Sequence, residues 1–179
     1  VLAALTVGMF SVVPVAYALP TGGTSTSATI TNTSAIRMDI AGSKDNNVIN
    51  WQSFSIANGE TVAFDAKNYL NLVQGISKSE IDGAMTGGGT IYLINPNGIL
   101  FGTNAQVNVG NLVASTRAIS DVKSGDFENN GTNPLATAAT AAAGDIVNMG
   151  ELQATSLVLE GNNITIQNAE KIRTQDDSA

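Results

Sequence analysis

The chain alternates apolar and polar residues over short runs, each ended by glycine, asparagine or proline. Thr29-Ile30-Thr31, Ile36-Arg37-Met38-Asp39-Ile40 and Val48-Ile49-Asn50-Trp51 follow a period of two, which Phe54, Ile56 and Val62-Ala63-Phe64 continue. Successive side chains of an extended strand point to opposite faces, so this period predicts short, half-buried strands. Asn58-Gly59 predicts a hairpin-type turn before Val62. Trp51, Phe54, Ile56 and Phe64 are expected to pack as one aromatic cluster supporting the core, in preference to stacking on a ligand. Burying each contributes about 1.5–3 kcal/mol.

The densest pattern runs from Thr86 to Thr116. Gly87-Gly88-Gly89 predicts a flexible corner; the Gly-Lys-Ser/Thr of a phosphate loop does not follow it. Ile91 to Ile94 and Ile99 to Phe101 are apolar strands on either side of Asn95-Pro96-Asn97-Gly98. There Pro96 presets φ for the first central position of a β-turn, and Asn97 and Gly98 suit the unusual backbone that follows. Val107 to Val113 alternates again. Just upstream, Ser77 with Glu80 three residues on predicts one capped helical turn.

Later segments divide in two. Ile119 to Ala143 breaks the pattern with mixed charge, Asn129-Asn130-Gly131, Pro134 and an alanine-threonine tract. It is expected to leave the main scaffold as a β-hairpin or surface loop, with Ala136–Ala143 as a short helix. From Gly144 a repeat begins: Ile146, Asn148 and Leu152 recur as Ile166, Asn168 and Ile172, each 20 residues on. A fixed period of about 20 with inward aliphatics predicts a β-solenoid, whose rungs bury their apolar faces only by stacking. Asn148 and Asn168 are expected to form a hydrogen-bonded ladder.

Composition narrows the function classes. The 179 residues hold 15 acidic and 8 basic residues, a net charge of −7, so no nucleic-acid footprint is expected. Charged residues make up only 13%, against a usual value of about 25%; Asn, Gln, Ser, Thr and Gly supply the polar surface. There is no Cys and no His, which removes thiol nucleophiles, histidine triads and most transition-metal sites. Asp121, Asp126 and Glu128 lie close together in a polar segment and read as solvated loop charges. Asp126 to Gly131 starts like a calcium loop, but Thr137 stands where the bidentate Glu is required. No enzyme activity, metal or cofactor is expected.

Val1 to Ala18 is apolar and uncharged and ends Ala16-Tyr17-Ala18. Small residues at Ala16 and Ala18 fit signal-peptidase geometry, so residues 1–18 are expected to be the end of a signal peptide cleaved after Ala18. A transmembrane anchor is the weaker reading, given Pro14 and the short length. Residues 19–179 then form the domain.

Asn95-Pro96-Asn97-Gly98-Ile99 is the NPNGI signature of the two-partner secretion domain, and YLINPNGILFG and AQVNVGNLVAST resemble the high-molecular-weight adhesin type. Asn50-Trp51-Gln52-Ser53-Phe54-Ser55-Ile56 is similar to the family's INW-x-x-F-x-I. The resemblance covers about Leu19 to Thr116; Asn68 to Leu72 matches neither subfamily's pattern. It implies the amino-terminal module of a large TpsA-type exoprotein, related to filamentous haemagglutinin. Its fold is a right-handed parallel β-helix with amino-terminal capping strands and a small extra-helical antiparallel β excursion. The implied partners are the POTRA domains of a dedicated outer-membrane TpsB-type transporter, with the Sec machinery and signal peptidase upstream. Host cell or surface receptors would be met through a downstream passenger. The implied location is the bacterial surface or medium, reached through the periplasm, and the implied role is export recognition and nucleation of solenoid folding. For the NPNGI turn two roles stay open: closing a rung, or touching the transporter. The alternative for the whole domain is an adhesive or glycan-binding surface.

Overall fold

The computed structural model describes residues 19–174, so the segment read as a signal peptide, with Ala16 and Ala18, lies outside the described residues. The described chain winds into a parallel β-solenoid of about 6 turns. Its strands lie on three faces. The first carries β2 (Arg37–Gly42), β4 (Thr61–Phe64), the start of β7 (Ala84–Ile94), the start of β9 (Gln106–Ser115), β11 (Glu151–Ala154) and β14 (Ile172–Thr174). The second carries β3 (Asn46–Trp51), β5 (Asn68–Val73), the ends of β7 and β9, and β12 (Ser156–Glu160). The third stacks β6 (Ser79–Ile81), β8 (Ile99–Phe101), β10 (Ile146–Asn148) and β13 (Ile164–Ile166).

The period of two seen in the sequence is what makes the columns. On the first face Met38 stands on Val62, Val62 on Met85, Met85 on Val107, Val107 on Leu152 and Leu152 on Ile172. On the third, Ile99 stands on Ser79, Ile146 on Ile99 and Ile164 on Ile146. Parallel in-register stacking hides the inward residues of the middle rungs between their equivalents above and below, and their apolar members form one continuous core; Ile164, at the far end of the third face, stays 46% exposed.

The amino-terminal cap is antiparallel. Here β1 (Ala28–Ser34) pairs with β2, and single bridges join Thr21 to Ser53 and Thr24 to Asn50. These contacts occupy the hydrogen-bonding edge that the first rung would otherwise expose.

Several expectations are corrected. Rung length is not a constant 20: Arg37 pairs with Thr61, 24 residues on, Thr61 with Ala84, 23 on, and Ala84 with Gln106, 22 on. Leu152 does pair with Ile172, 20 on, but Ile146 pairs with Ile164, 18 on. Asn148 therefore faces Ile166 rather than Asn168, and its side chain bonds the Gly150 backbone instead of a second Asn. Corners of unequal length, with Asn168 in the left-handed region at φ 59°, absorb the difference.

Asn58-Gly59 forms a turn, but it leads from Ile56 on the third face into β4, which pairs only in parallel; it is a solenoid corner. Ser77 to Glu80 is not helical: Ser79–Ile81 is strand, held by β8. Gly87 to Gly89 lies inside β7, where the strand changes partner from β4 to β5. A Cβ on Gly89 would sit 2.1 Å from the Lys67 carbonyl oxygen, so the corner is glycine because the rungs touch there, not because it flexes.

The excursion is helical and contains no antiparallel β pair. A 3₁₀ turn at Ile119–Asp121 precedes α1 (Ser124–Asn130), which ends at Gly131 in the left-handed region, φ 67°, while Ala136–Ala143 is irregular. Phe127, buried at 2% exposure, packs over the outer side of the second face on Leu70, Leu72 and Ile94, edge-on to Tyr92 at 5.4 Å. That cover is why β5 is buried on both of its faces.

Candidate functional site

The NPNGI residues occupy the corner between β7 and β8. Gly98 N–H donates to the Asn95 carbonyl (3.1 Å), closing a four-residue β-turn with Pro96 and Asn97 at its centre. Asn95 Oδ1 also accepts from Asn97 N–H (3.0 Å) and from Asn97 Nδ2 (3.1 Å), so the turn is braced from within. Gly98 sits at φ 116°, and the Gly144 and Asp145 backbone of the next rung lies against it. A side chain at Gly98 would be strained in that conformation.

This corner is bonded to the rungs on both sides. Asn95, fully buried, donates through Nδ2 to the Ser77 carbonyl (3.0 Å) and Ser79 Oγ (3.0 Å) of the preceding rung. The exposed Asn97 donates through Nδ2 to the Gly75 carbonyl (2.8 Å). Ser79 N–H donates to the Gly98 carbonyl (3.0 Å), while Ile99, 1% exposed, donates its N–H to Asp145 (3.0 Å). Within the turn only Asn97 presents an exposed side chain; Pro96 is half-buried.

Trp51 and Phe54 lie at the base of the solenoid, each 1% exposed, in an edge-to-face pair at 5.5 Å. The expected single aromatic cluster is two pairs, because Phe64 packs on Tyr69 at 4.8 Å instead. Trp51 Nε1 donates to Asn71 Oδ1 (2.9 Å), and Asn71 Nδ2 donates to the Tyr92 carbonyl (3.0 Å). This satisfies a buried asparagine and a buried indole together, which an apolar core requires.

A polar ladder that the expected period missed runs up one corner. Asn68 Nδ2 donates to Asn46 Oδ1 (2.9 Å), Thr90 N–H to Asn68 Oδ1 (2.9 Å) and Asn111 Nδ2 to Thr90 Oγ1 (3.1 Å). The signal was present: Asn46 and Asn68 are 22 apart, the rung length on that face. Carboxylates stitch other corners. Burial pushes Asp65 up, but hydrogen bonds from the Tyr69 hydroxyl and the Gly42 and Lys67 amides outweigh it and hold the acid below its ordinary range. The Asn163 and Asn162 side chains do the same for Asp145. Burial and the Asp65 carboxylate raise the Tyr69 hydroxyl well above its usual value.

The acidic residues of the excursion are structural ties. Asp121 accepts from the Thr140 hydroxyl and amide, and Glu128 pairs with Lys44 at 3.3 Å. Asp126 to Asn130 is helix, with Gly131 as its left-handed end, not a cation loop, and no cluster of acidic groups that could hold a metal occurs among the described residues. An open surface cleft of about 310 Å³ lies between Thr24–Thr26 and α1.

The chain matches the family model of the TPS secretion domain over residues 16–177. It belongs to that family. Its sequence is 38% identical over 93 residues to a heme/hemopexin-binding protein of Haemophilus influenzae, a match covering 50% of the chain and 10% of that protein. A second heme/hemopexin-binding protein of that species is 31% identical over 123 residues, covering 65% of the chain and 14% of the relative. The TPS domain thus spans a small fraction of the curated relatives it matches. Among solved structures it resembles the HMW1 secretion domain from Haemophilus influenzae, with a TM-score of 0.66 and 25% identity over 83% of this chain and 41% of that one. Proteins carrying this domain are secreted exoproteins that work with a partner transporter.

Proposed function

We propose that this TPS domain is the export-recognition module of a large secreted adhesin or haemagglutinin. It binds the POTRA domains of its outer-membrane transporter and nucleates solenoid folding at the cell surface. The family match over residues 16–177 carries this reading. The architecture supports it: a capped first rung supplies a template onto which parallel rungs add, each burying apolar columns against the one before. Folding outside the cell then biases passage in one direction. Export would run through the inner membrane by the Sec route, with cleavage after Ala18.

Catalysis has no support in the chemistry of this chain, which lacks Cys and His. Nor does an adhesive or glycan-binding surface: every described aromatic side chain is buried or half-buried, leaving no stacking platform. Any binding of haem, hemopexin or host receptors is assigned to passenger sequence beyond the TPS domain.

The test is export of the 179-residue chain, with a natural leader, from cells that carry or lack the transporter encoded beside it. Release into the medium only with the transporter is the expected result. Equal release without it would refute the reading.

A further inference from the structure

Three Asn-Gly pairs occur in the chain: Asn58-Gly59, Asn97-Gly98 and Asn130-Gly131. In such a pair the glycine amide nitrogen can attack the asparagine side-chain carbonyl carbon, because no side chain on the glycine blocks the approach. The attack needs two freedoms. The peptide plane must swing until the nitrogen faces the side chain, and the N–H must be free of an acceptor.

Two of the pairs lack both. Gly98 N–H is engaged by the Asn95 carbonyl (3.1 Å), and Asn97 Nδ2 by the Gly75 carbonyl and Asn95 Oδ1. Gly98 is itself buried, with the Asp145 backbone against it. Gly131 N–H donates to the Phe127 carbonyl (2.8 Å), and Asn130 is the last residue of α1. At Asn58-Gly59 the bonds surround the reacting atoms without holding them. Glu60 N–H donates to the Ala57 carbonyl (2.9 Å) and Ala57 N–H to Glu60 Oε2 (2.8 Å), so only the ends of the turn are tied. Asn58 and Gly59 are both exposed, and among the described residues neither the Asn58 side chain nor the Gly59 N–H has a hydrogen-bond partner. A Cβ on Gly59 would meet nothing within 4 Å, so this peptide can turn over without displacing a neighbour.

We infer that Asn58 is the site at which the folded domain modifies itself, by deamidation. The Gly59 nitrogen forms a bond to Asn58 Cγ and gives up its proton; the Cγ–Nδ2 bond breaks, and ammonia leaves with that proton. One water then opens the cyclic imide at either of its carbonyls, leaving aspartate or isoaspartate at position 58. Each event adds a negative charge to a chain already at net −7, in an open groove that Asn58 shares with Asn104, Gln106, Glu151 and Lys171. The isoaspartate form also adds a backbone carbon to the corner. The pairs on either side, Ile56 with Ile81 and Thr61 with Arg37 and Ala84, keep the rungs in register, so the change stays local.

The test is peptide mapping of the folded chain during long incubation in mildly alkaline buffer, beside the same chain unfolded in urea. A hydrogen bond that must break before the nitrogen can attack slows the reaction by about tenfold to hundredfold. In the folded chain Asn58 is therefore expected to convert about tenfold faster than Asn97 or Asn130, or more. In urea, where each is simply an asparagine before a glycine, all three are expected to convert at similar rates. Asn97 or Asn130 keeping pace with Asn58 in the folded chain would overturn the inference. So would an Asn58 that converts in urea and stays intact when folded. The same order of rates in both states would overturn it too, because local sequence and not the fold would then set the choice.

Discussion

The two asparagines of the NPNGI turn look alike in sequence and do different work. Asn95 is fully buried and holds Ser77 and Ser79, so Asn95→Ala leaves the buried Ser79 hydroxyl, and the Ser77 carbonyl, without that partner. Losing bonds at a buried site costs about 1–3 kcal/mol for each group left unsatisfied. Asn97 is exposed, and water replaces its bonds when it is truncated, so Asn97→Ala should cost about 1 kcal/mol or less. Urea midpoints should fall clearly for Asn95→Ala and little for Asn97→Ala; the reverse order would show that the bonding described for this corner is not what holds it. The motif announced a turn because Pro96 and Gly98 have strong local preferences. Its bonds to Gly75, Ser77 and Ser79 were not legible, since nothing local to those residues says which rung will lie over them.

At the scale of elements, the strands were readable and their register was not. Alternation located β2, β3 and β4 because a half-buried strand shows its period directly. Register depends on corner length, and corners here vary enough to shift one face by 18 residues and another by 24. Helix α1 was hidden for a related reason. It has one apolar residue, so no 3.6-residue stripe exists, and Asn130-Gly131 reads as a turn although Gly131 is the left-handed residue that ends the helix. Phe127 fixes that helix to the solenoid. Phe127→Ala should cost about 3–5 kcal/mol locally and free the excursion without unwinding the rungs. Limited proteolysis should then cut within residues 117–143 while amides of β7 and β9 stay protected from hydrogen exchange. Loss of protection across all rungs together would mean that the helix and solenoid form one cooperative unit.

The molecule as a whole is acidic, at net −7, yet several of its carboxylates fasten one rung to another. Asp65 and Asp145 are held below the ordinary carboxylate range, so each lends stability that is complete above about pH 3.9 and disappears as pH falls through the lowered value. Stability should therefore be level from pH 7 to about 5 and decline below about 4. Asp65→Asn should be weaker than wild type at pH 7 and lose less on acidification to pH 3. Urea titrations of both proteins at the two pH values decide this, and parallel losses would remove Asp65 from the account.

Where the chain leaves the solenoid and where it returns, the two ends are already joined. Ala143 N–H donates to the Thr116 carbonyl, the Thr116 hydroxyl to the Gly144 carbonyl, and Arg117 bridges to Glu160 and to the Thr140 carbonyl. Beyond that neck Glu151 meets Gln106 as though nothing had intervened. The rungs thus do not sense how many residues lie outside the neck, and lengthening a loop whose ends are fixed costs little. The tip of the excursion is a port: sequence grafted there can diversify or carry a tag while the solenoid below it keeps its pitch.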